Sequence, residues 1–221
     1  MLTAIRKFQI FIVDDHPLAR EGLMIRIASQ PDLEVCGEAE NASEAVRILR
    51  DVKADLVLVD MSLKTESGID LMRHLRQWDP SIKMLVVSAH DESVYAERAL
   101  RAGALGYINK QECREKVVEA IRAVLEGKRF ISGRVAERLL TQAIGIWEAE
   151  TRCVVGKLSD RELQVFQLIG QGITTKTIAK QLHLSTHTID SHREKIKHKL
   201  ELRHGTELTQ RAVQWVFEAA K

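Results

Sequence analysis

The stretch Phe8–Arg20, FQIFIVDDHPLAR, decides the fold. A short, mostly apolar run suited to a buried strand leads directly into two adjacent carboxylates, Asp14 and Asp15, and then into Pro17, which favours the first turn of a helix. Like charges side by side at the end of an apolar element repel each other and lose hydration, so the rest of the chain must compensate them. The same strand-then-helix grammar repeats downstream. Strand-like runs occupy 33–39 (LEVCGEA), 55–59 (DLVLV), 82–87 (IKMLVV) and 105–108 (LGYI). Helix-like stretches lie near 17–29, 42–51, 67–77, 92–102 and 112–126; in the second, Ala42, Ala45, Val46 and Leu49 share one face. Apolar runs that are mostly continuous rather than alternating predict a parallel sheet covered by helices on both faces. The expectation for residues 1–126 is an α/β, flavodoxin-like (βα)5 domain with a five-stranded parallel sheet; the pattern alone leaves a mixed α+β fold as the alternative.

After Glu126 the strand signals stop. Gly127-Lys128-Arg129 breaks the last helix, and Ser132 is placed to cap a short one carrying Val135, Ala136, Leu139, Leu140 and Ala143. Residues 145–157 (GIWEAETRCVVGK) lack periodicity, which makes 127–156 a linker with a short helix. Four helical stretches follow, 159–170, 174–182, 185–200 and 206–219, and define an all-α four-helix domain over 157–221. The first opens with Ser159-Asp160-Arg161-Glu162, a capping box.

The formal net charge of +2 conceals an asymmetry: 17 Lys and Arg stand against 21 Asp and Glu up to Glu126, and 16 against 10 from Gly127 onward. An acidic first part joined to a basic second part points to two jobs, the second with a polyanion. Cys36, Cys113 and Cys153 are odd in number and far apart, which argues against a disulfide framework and a cysteine zinc site and for a reducing compartment. No run approaches the roughly 20 apolar residues of a membrane helix, and the first is too short for a signal peptide's core. The expectation is a cytoplasmic protein without a membrane partner.

In an open parallel sheet, function collects beyond the carboxyl ends of the strands, where the strand order reverses. Asp14 and Asp15 end the first strand and Asp60 the third, neighbours in a 2-1-3-4-5 order; Ser88 and Lys110 end the fourth and fifth. Three carboxylates at one spot require a cation, and hard oxygens suit Mg²⁺. A carboxylate beside such an ion can attack phosphorus, with Lys110 and Ser88 contacting phosphoryl oxygens. Each residue alone has a structural reading as helix opener, loop cap, strand-end filler or solvated charge. All five at matching strand ends favour the shared site.

"VDDHP", "LVLVD" with Gly68 eight residues after its aspartate, "VVSAH" and "GYINK" closely resemble the receiver domain of bacterial two-component response regulators, over residues 8 to about 126. The resemblance implies that Asp60 is the phosphoacceptor, served by a sensor histidine kinase. It implies that Asp14, Asp15, Asp60 and the Ser62 main-chain carbonyl surround Mg²⁺, with Mn²⁺ as a substitute. It further implies that Ser88 and Tyr107 form the switch, that Lys110 bonds the phosphoryl group, and that Ser62 and His90 tune phosphate lifetime. One departure is Lys64, where the family usually has proline.

In the basic part, helices 174–182 and 185–200 are separated by only His183 and Leu184, and Thr174 and Ser185 stand where N-caps are wanted. Ile189, His192, Ile196 and Leu200 form one buried face, and Ser191, Arg193, Lys195, Lys197 and Lys199 lie on the remainder. A short helix, tight turn and longer basic helix read as a helix-turn-helix whose second helix enters the major groove. "LSDRELQVFQLIGQG" and "KTIAKQLHLSTHTIDSHREKIKHKL" resemble the LuxR-type output domain of the NarL/FixJ regulators, over roughly 157–221. That resemblance puts Thr188, His192 and Lys199 at or beside the phosphate backbone and turns Asp190, Ser191 and Glu194 toward base edges. The DNA-binding set expected here is Lys176, Thr186, Thr188, Ser191, His192, Arg193, Lys195, Lys197 and Lys199.

The chain therefore reads as a response-regulator transcription factor and not an enzyme: phosphate on Asp60, promoter DNA as the target, and a homodimer formed on phosphorylation or DNA binding. The last helix offers Leu208, Ala212, Val213, Val216 and Phe217 either to a dimer seam or to the core of its own domain. Two rivals are an aspartyl phosphatase or phosphotransferase, which normally has a second carboxylate where Ser62 stands, and an interaction module regulated without phosphate.

Overall fold

The computed structural model describes residues 6–63, 66–90, 92–143 and 157–219. Lys64, Cys153 and the 144–156 part of the linker lie outside the described residues. The chain divides into two compact units, one ending at Leu140 and one beginning at Thr141.

The first unit is a five-stranded parallel sheet: β1 (Phe8–Val13), β2 (Leu33–Ala39), β3 (Leu56–Val59), β6 (Lys83–Ser88) and β7 (Gly106–Asn109), in the order β2-β1-β3-β6-β7. That is the doubly wound order expected, with its switch point between β1 and β3. Strands this apolar have no solvent face: Ile10 to Val13 and Leu56 to Val59 are all buried. Ile10, Ile12, Leu56, Leu58, Leu85, Val87 and Ile108 point to one side, where α1 (Pro17–Ala28) supplies Leu23 and Ile27 and α5 (Cys113–Leu125) supplies Val117, Ala120, Ile121 and Val124. Right-handed crossovers send α2 (Ala42–Leu49), α3 (Gly68–Trp78) and α4 (Glu92–Ala102) to the other side. There the Phe11 ring fills the space a Cβ on Gly37 would need, 2.7 Å away. Opposite β1 the register of β2 shifts, so that Ile10 faces Val35 and Phe11 faces Gly37.

Local chemistry sets the helix starts. Pro17 opens α1, the Asn41 side chain accepts from the Glu44 amide of α2 at 2.9 Å, and the Ser67 hydroxyl accepts from the Ile69 amide of α3 at 3.2 Å. Gly68 is obligatory, because a Cβ there would collide with the Asp60 carbonyl oxygen and neighbouring backbone. A two-residue antiparallel pair, β4 (Ser62–Leu63) with β5 (Glu66–Ser67), precedes it. Two residues of pairing are too short to leave a periodic signal.

Strand character does not end at Glu126 as the pattern indicates. Phe130 bridges Gly106 in parallel fashion: the Tyr107 amide donates to the Phe130 carbonyl at 2.8 Å, and the Phe130 amide to the Leu105 carbonyl at 3.0 Å. One residue of pairing is too short to leave a periodic signal. The Ser132 amide then donates to a Glu92 carboxylate oxygen at 2.9 Å, and Ser132 caps α6 (Gly133–Ala143) through the Val135 amide.

The second unit contains α7 (Asp160–Gly170), α8 (Thr175–Gln181), α9 (Thr186–Lys199) and α10 (Gly205–Ala219). The capping box at Ser159 and Glu162 forms, and Thr174 and Ser185 cap α8 and α9 through the Thr177 and Thr188 amides. Its core holds Leu163, Phe166, Ile169, Ile178, Ile189, Ile196, Leu208 and Ala212. Between α8 and α9 the chain turns at His183, whose φ of 51° is left-handed. The Leu184 amide reaches back to the Ala179 carbonyl at 2.9 Å, a helix C-terminal motif that normally favours glycine at the position of His183. We expect His183→Gly to stabilise this unit by about 0.5–1 kcal/mol, read as a higher urea midpoint; an unchanged or lower midpoint would show that the turn carries no such strain.

Candidate functional site

The carboxyl edge of the sheet brings Asp14, Asp15, Asp60 and Lys110 together. Asp14 and Asp60 are almost fully buried, at 1% and 3% exposure. The Lys110 ammonium lies 2.7 Å from Asp14 Oδ2 and 2.9 Å from Asp60 Oδ2, and the Lys110 amide donates to the Ser88 carbonyl at 2.8 Å, which fixes where its side chain starts. His16 joins the cluster. Its amide donates to Asp14 Oδ1 at 2.9 Å, and its Nδ1 lies 2.7 Å from Asp15 Oδ1 and 4.0 Å from Asp60 Oδ2.

One ammonium does not neutralise three acids. Burial pushes the Asp60 carboxyl up, Lys110 pulls it down, and Asp14 and Asp15 push it up again, leaving it at about 6. Burial disfavours the charged form of Lys110, but the pull of Asp60 and Asp14 outweighs this and holds it above the usual lysine range. Asp14 Oδ2 and Asp15 Oδ1 are buried and accept no directed hydrogen bond, although each has an ionic contact, with Lys110 and His16 respectively. Ligand atoms of Asp14, Asp15, His16 and Asp60 all lie within 4.8 Å of one another. Hard carboxylate oxygens with spare lone pairs, so close together, fit Mg²⁺.

Around this centre, Ser88 is fully buried and its hydroxyl accepts from the His90 amide at 3.2 Å. Tyr107 is also buried. Its hydroxyl donates to the His90 carbonyl at 3.0 Å, and burial drives that hydroxyl above the tyrosine range. Ser62 Oγ and His90 Nε2 are 2.5 Å apart. Arg20 was missed by the sequence reading. Buried at 8% exposure, it donates to the Asp14 carbonyl at 2.6 Å and to Glu38 at 3.1 Å, tying the acidic turn to the end of β2. The available signal was its place on the same helix stripe as Leu23 and Ile27.

On the second unit, Thr186, Thr188, Ser191, His192, Arg193, Lys195, Lys197 and Lys199 all sit on α9, and Lys176 sits on α8. Their surroundings differ. Thr186, Lys176 and Lys195 are exposed. Thr188 Oγ1 lies 2.8 Å from the Ser185 cap, and the Ser191 hydroxyl donates to the His187 carbonyl at 3.0 Å. Arg193 reaches Thr175 Oγ1 at 3.5 Å, and Lys197 pairs with Glu194 at 2.9 Å. Lys199 donates to Glu162 at 2.6 Å. Burial pushes that carboxyl up, but hydrogen bonds from Lys199 and Ser159 bring it below the ordinary range. Burial, with the charges of Arg161 and Lys195, lowers His192, whose Nδ1 is enclosed without a hydrogen-bond partner. In α10 the two alternatives divide by residue: Leu208 and Ala212 are core, whereas Val213 and Phe217 are 47% and 65% exposed.

A family model for the response regulator receiver domain matches residues 10–122, and one for bacterial regulatory proteins of the luxR family matches residues 156–212. The response regulator UvrY of Escherichia coli K12 is 32% identical over 204 residues, covering 92% of this chain and 93% of UvrY. The transcriptional regulatory protein DegU of Brevibacillus brevis is 30% identical over 225 residues, covering 95% of each. A solved structure of the RcsB response regulator of Salmonella typhimurium, described for its conformational dynamism in DNA interaction, is 25% identical with a TM-score of 0.56, covering 93% of this chain and 97% of that one. This chain belongs to the response regulators that join a receiver domain to a LuxR-type DNA-binding domain. The family is one of transcription regulators, not of enzymes. Among the described residues no helix is long and apolar enough to cross a membrane.

Three variants test these charges. Since the folded Asp60 has a pKa of about 6, above that of an unfolded aspartate, its protonated form favours folding, and the stability it lends is lost as pH rises from about 4 through 6. Asp60→Asn should therefore stabilise the first unit at pH 7 without divalent cations by about 1–3 kcal/mol in urea unfolding, and Mg²⁺ should raise the wild-type midpoint more than the variant's. Lys199→Met should cost about 1–3 kcal/mol by leaving the buried Glu162 carboxylate without its cation. Lys195→Ala should stay within about 0.5 kcal/mol in stability yet weaken DNA binding on every sequence and lower the salt slope by about one.

Proposed function

We propose that Asp60 accepts a phosphoryl group from a sensor histidine kinase and that this acyl phosphate promotes promoter binding by a dimer of the chain. The carrying observation is the buried Asp60 carboxylate, held beside Asp14 by one shared ammonium with acceptor lone pairs left over. In this reading residues 1–126 are the receiver, 127–156 the linker and 157–221 the DNA-binding domain, in a cytoplasmic protein.

An Asp60 oxygen attacks the phosphorus of a phosphohistidine, the phosphorus–nitrogen bond breaks, and the imidazole leaves with the electron pair. Lys110 transfers its hydrogen bond from the Asp60 carboxylate to a phosphoryl oxygen, and the Ser88 hydroxyl donates to another. Asp14, Asp15, Asp60 and the Ser62 carbonyl would hold Mg²⁺ or Mn²⁺, which supplies positive charge against the acids and the incoming phosphoryl oxygens. His16, against all three carboxylates yet largely exposed, lies at the entrance.

Movement of Ser88 toward the phosphoryl group disturbs the His90 amide it now accepts from, and with it the carbonyl that holds Tyr107. The Tyr107 amide is bonded to Phe130, so the change reaches the first residues of the linker through one strand of backbone. DNA reading falls to α8 and α9, with exposed Lys176 and Lys195 on phosphates. Val213 and Phe217, 47% and 65% exposed, form the dimer seam, and two copies read half-sites about 10 bp apart or a multiple of that.

Incubation with Mg²⁺ and a small phosphodonor, followed by intact-mass analysis, tests the proposal. The expected product is one hydroxylamine-sensitive phosphoryl adduct on wild type and none on Asp60→Asn. Rapid multiple turnover of the donor would favour a phosphatase, and absence of any adduct would favour a module regulated without phosphate.

A further inference from the structure

Along α9 the exposed residues of the first two turns are Thr186, His187 and Asp190, with Glu194 one turn further; His187, Asp190 and Glu194 recur at spacings of three and four on one outward face. In a helix-turn-helix the N-terminal part of the second helix meets base edges, so this is the face that reads sequence. Two acids on it are anomalous for a surface approaching a polyanion. Each carboxylate repels phosphate and has to be compensated by what it recognises.

Their surroundings separate the two. Glu194 is paired with Lys197 at 2.9 Å, so its charge is already neutralised on the helix. The Ser191 hydroxyl is spent on the His187 carbonyl. Asp190 is exposed, and among the described residues no ion pair or hydrogen bond engages its side chain. The nearby cations are occupied elsewhere: Arg193 on Thr175, Lys197 on Glu194 and Lys199 on Glu162. An ionised carboxylate only accepts hydrogen bonds. In the major groove the donors available to it are the exocyclic amino groups, and cytosine N4 presents a donor without the adjacent N7 acceptor that adenine places beside its N6.

Resting on the DNA-binding reading above, we infer that Asp190 is a specificity-determining residue that accepts a hydrogen bond from the N4 amino group of a cytosine in each half-site. The phosphate contacts from Lys176 and Lys195 supply affinity irrespective of sequence. Asp190 subtracts from that affinity everywhere except where the cytosine amino group meets it, and discrimination arises from this difference. Glu194, held by Lys197, takes no part in the selection.

The test is selection of double-stranded DNA from a random pool by the full chain in the presence of Mg²⁺ and a phosphodonor, using wild type, Asp190→Ala, Asp190→Asn and Lys195→Ala. Wild type and Lys195→Ala should both enrich cytosine at one fixed position of each half-site. Asp190→Ala should lose that preference by about tenfold while binding sites without the cytosine as well as wild type or better. Asp190→Asn should exchange the preference for adenine, because a carboxamide offers a donor to N7 and an acceptor to N6. Unchanged base preference at every position in Asp190→Ala overturns the inference, as does loss of all DNA binding in that variant. Failure of wild type to enrich any sequence overturns the DNA-binding reading itself, and is told apart because it precedes any comparison of variants.

Discussion

Mutual repulsion among Asp14, Asp15 and Asp60 is the constraint around which the first unit is organised. Two like charges within about 4–5 Å cost about 3–4 kcal/mol at an effective dielectric of about 20, and the ligand atoms here lie within 4.8 Å. A single ammonium, shared between Asp14 and Asp60, offsets only part of that. Burial, together with the repulsion that is left, raises the pKa of Asp60, and buried carboxylate oxygens keep unused lone pairs. The fold tolerates the arrangement because backbone and buried side chains hold it in place. Arg20 secures the Asp14 carbonyl, Gly68 lets α3 begin against the Asp60 carbonyl, and the Ser88 carbonyl anchors Lys110. The site is a high-energy cluster fixed in position by a rigid sheet, and in the proposed function that is what makes it responsive to a cation and to a phosphoryl group.

Responsiveness at one edge of a sheet is useful only if something beyond it registers the change. The strand that carries Tyr107 is paired on its outer side with Phe130, and the chain then passes to Ser132, bonded to Glu92 at the start of α4. Tyr107 and the segment that follows α5 are thus joined by main-chain hydrogen bonds rather than by flexible side chains. In the second unit a comparable economy holds: buried Glu162 serves the capping box of α7 and also takes up Lys199, so one carboxylate ties the start of α7 to the end of α9.

Much of this was legible in the sequence because buried parallel strands and capped helices leave local signals. Phe8–Val13 and Leu56–Val59 are continuous apolar runs, and Ser159, Thr174 and Ser185 cap the helices they precede. The meeting of Asp14, Asp15, Asp60 and Lys110 was readable because strand ends in a doubly wound sheet have a known meeting point. What escaped reading depends on contacts between distant positions. Arg20 looks like a surface charge until Glu38 is brought beside it; His16 looks like a helix N-cap until the third strand supplies Asp60; Phe130 needs an open strand edge. Lys199 lies on a basic face by periodicity, and only tertiary packing reveals that its charge is spoken for.

The most direct test of the link between the acidic edge and the reading helix is the affinity of the full chain for its selected DNA site, measured with and without a phosphodonor, for wild type and Asp60→Asn side by side. Coupling between the two requires that wild type bind more tightly when the donor is present and that the variant show no gain. An equal gain in Asp60→Asn would contradict it.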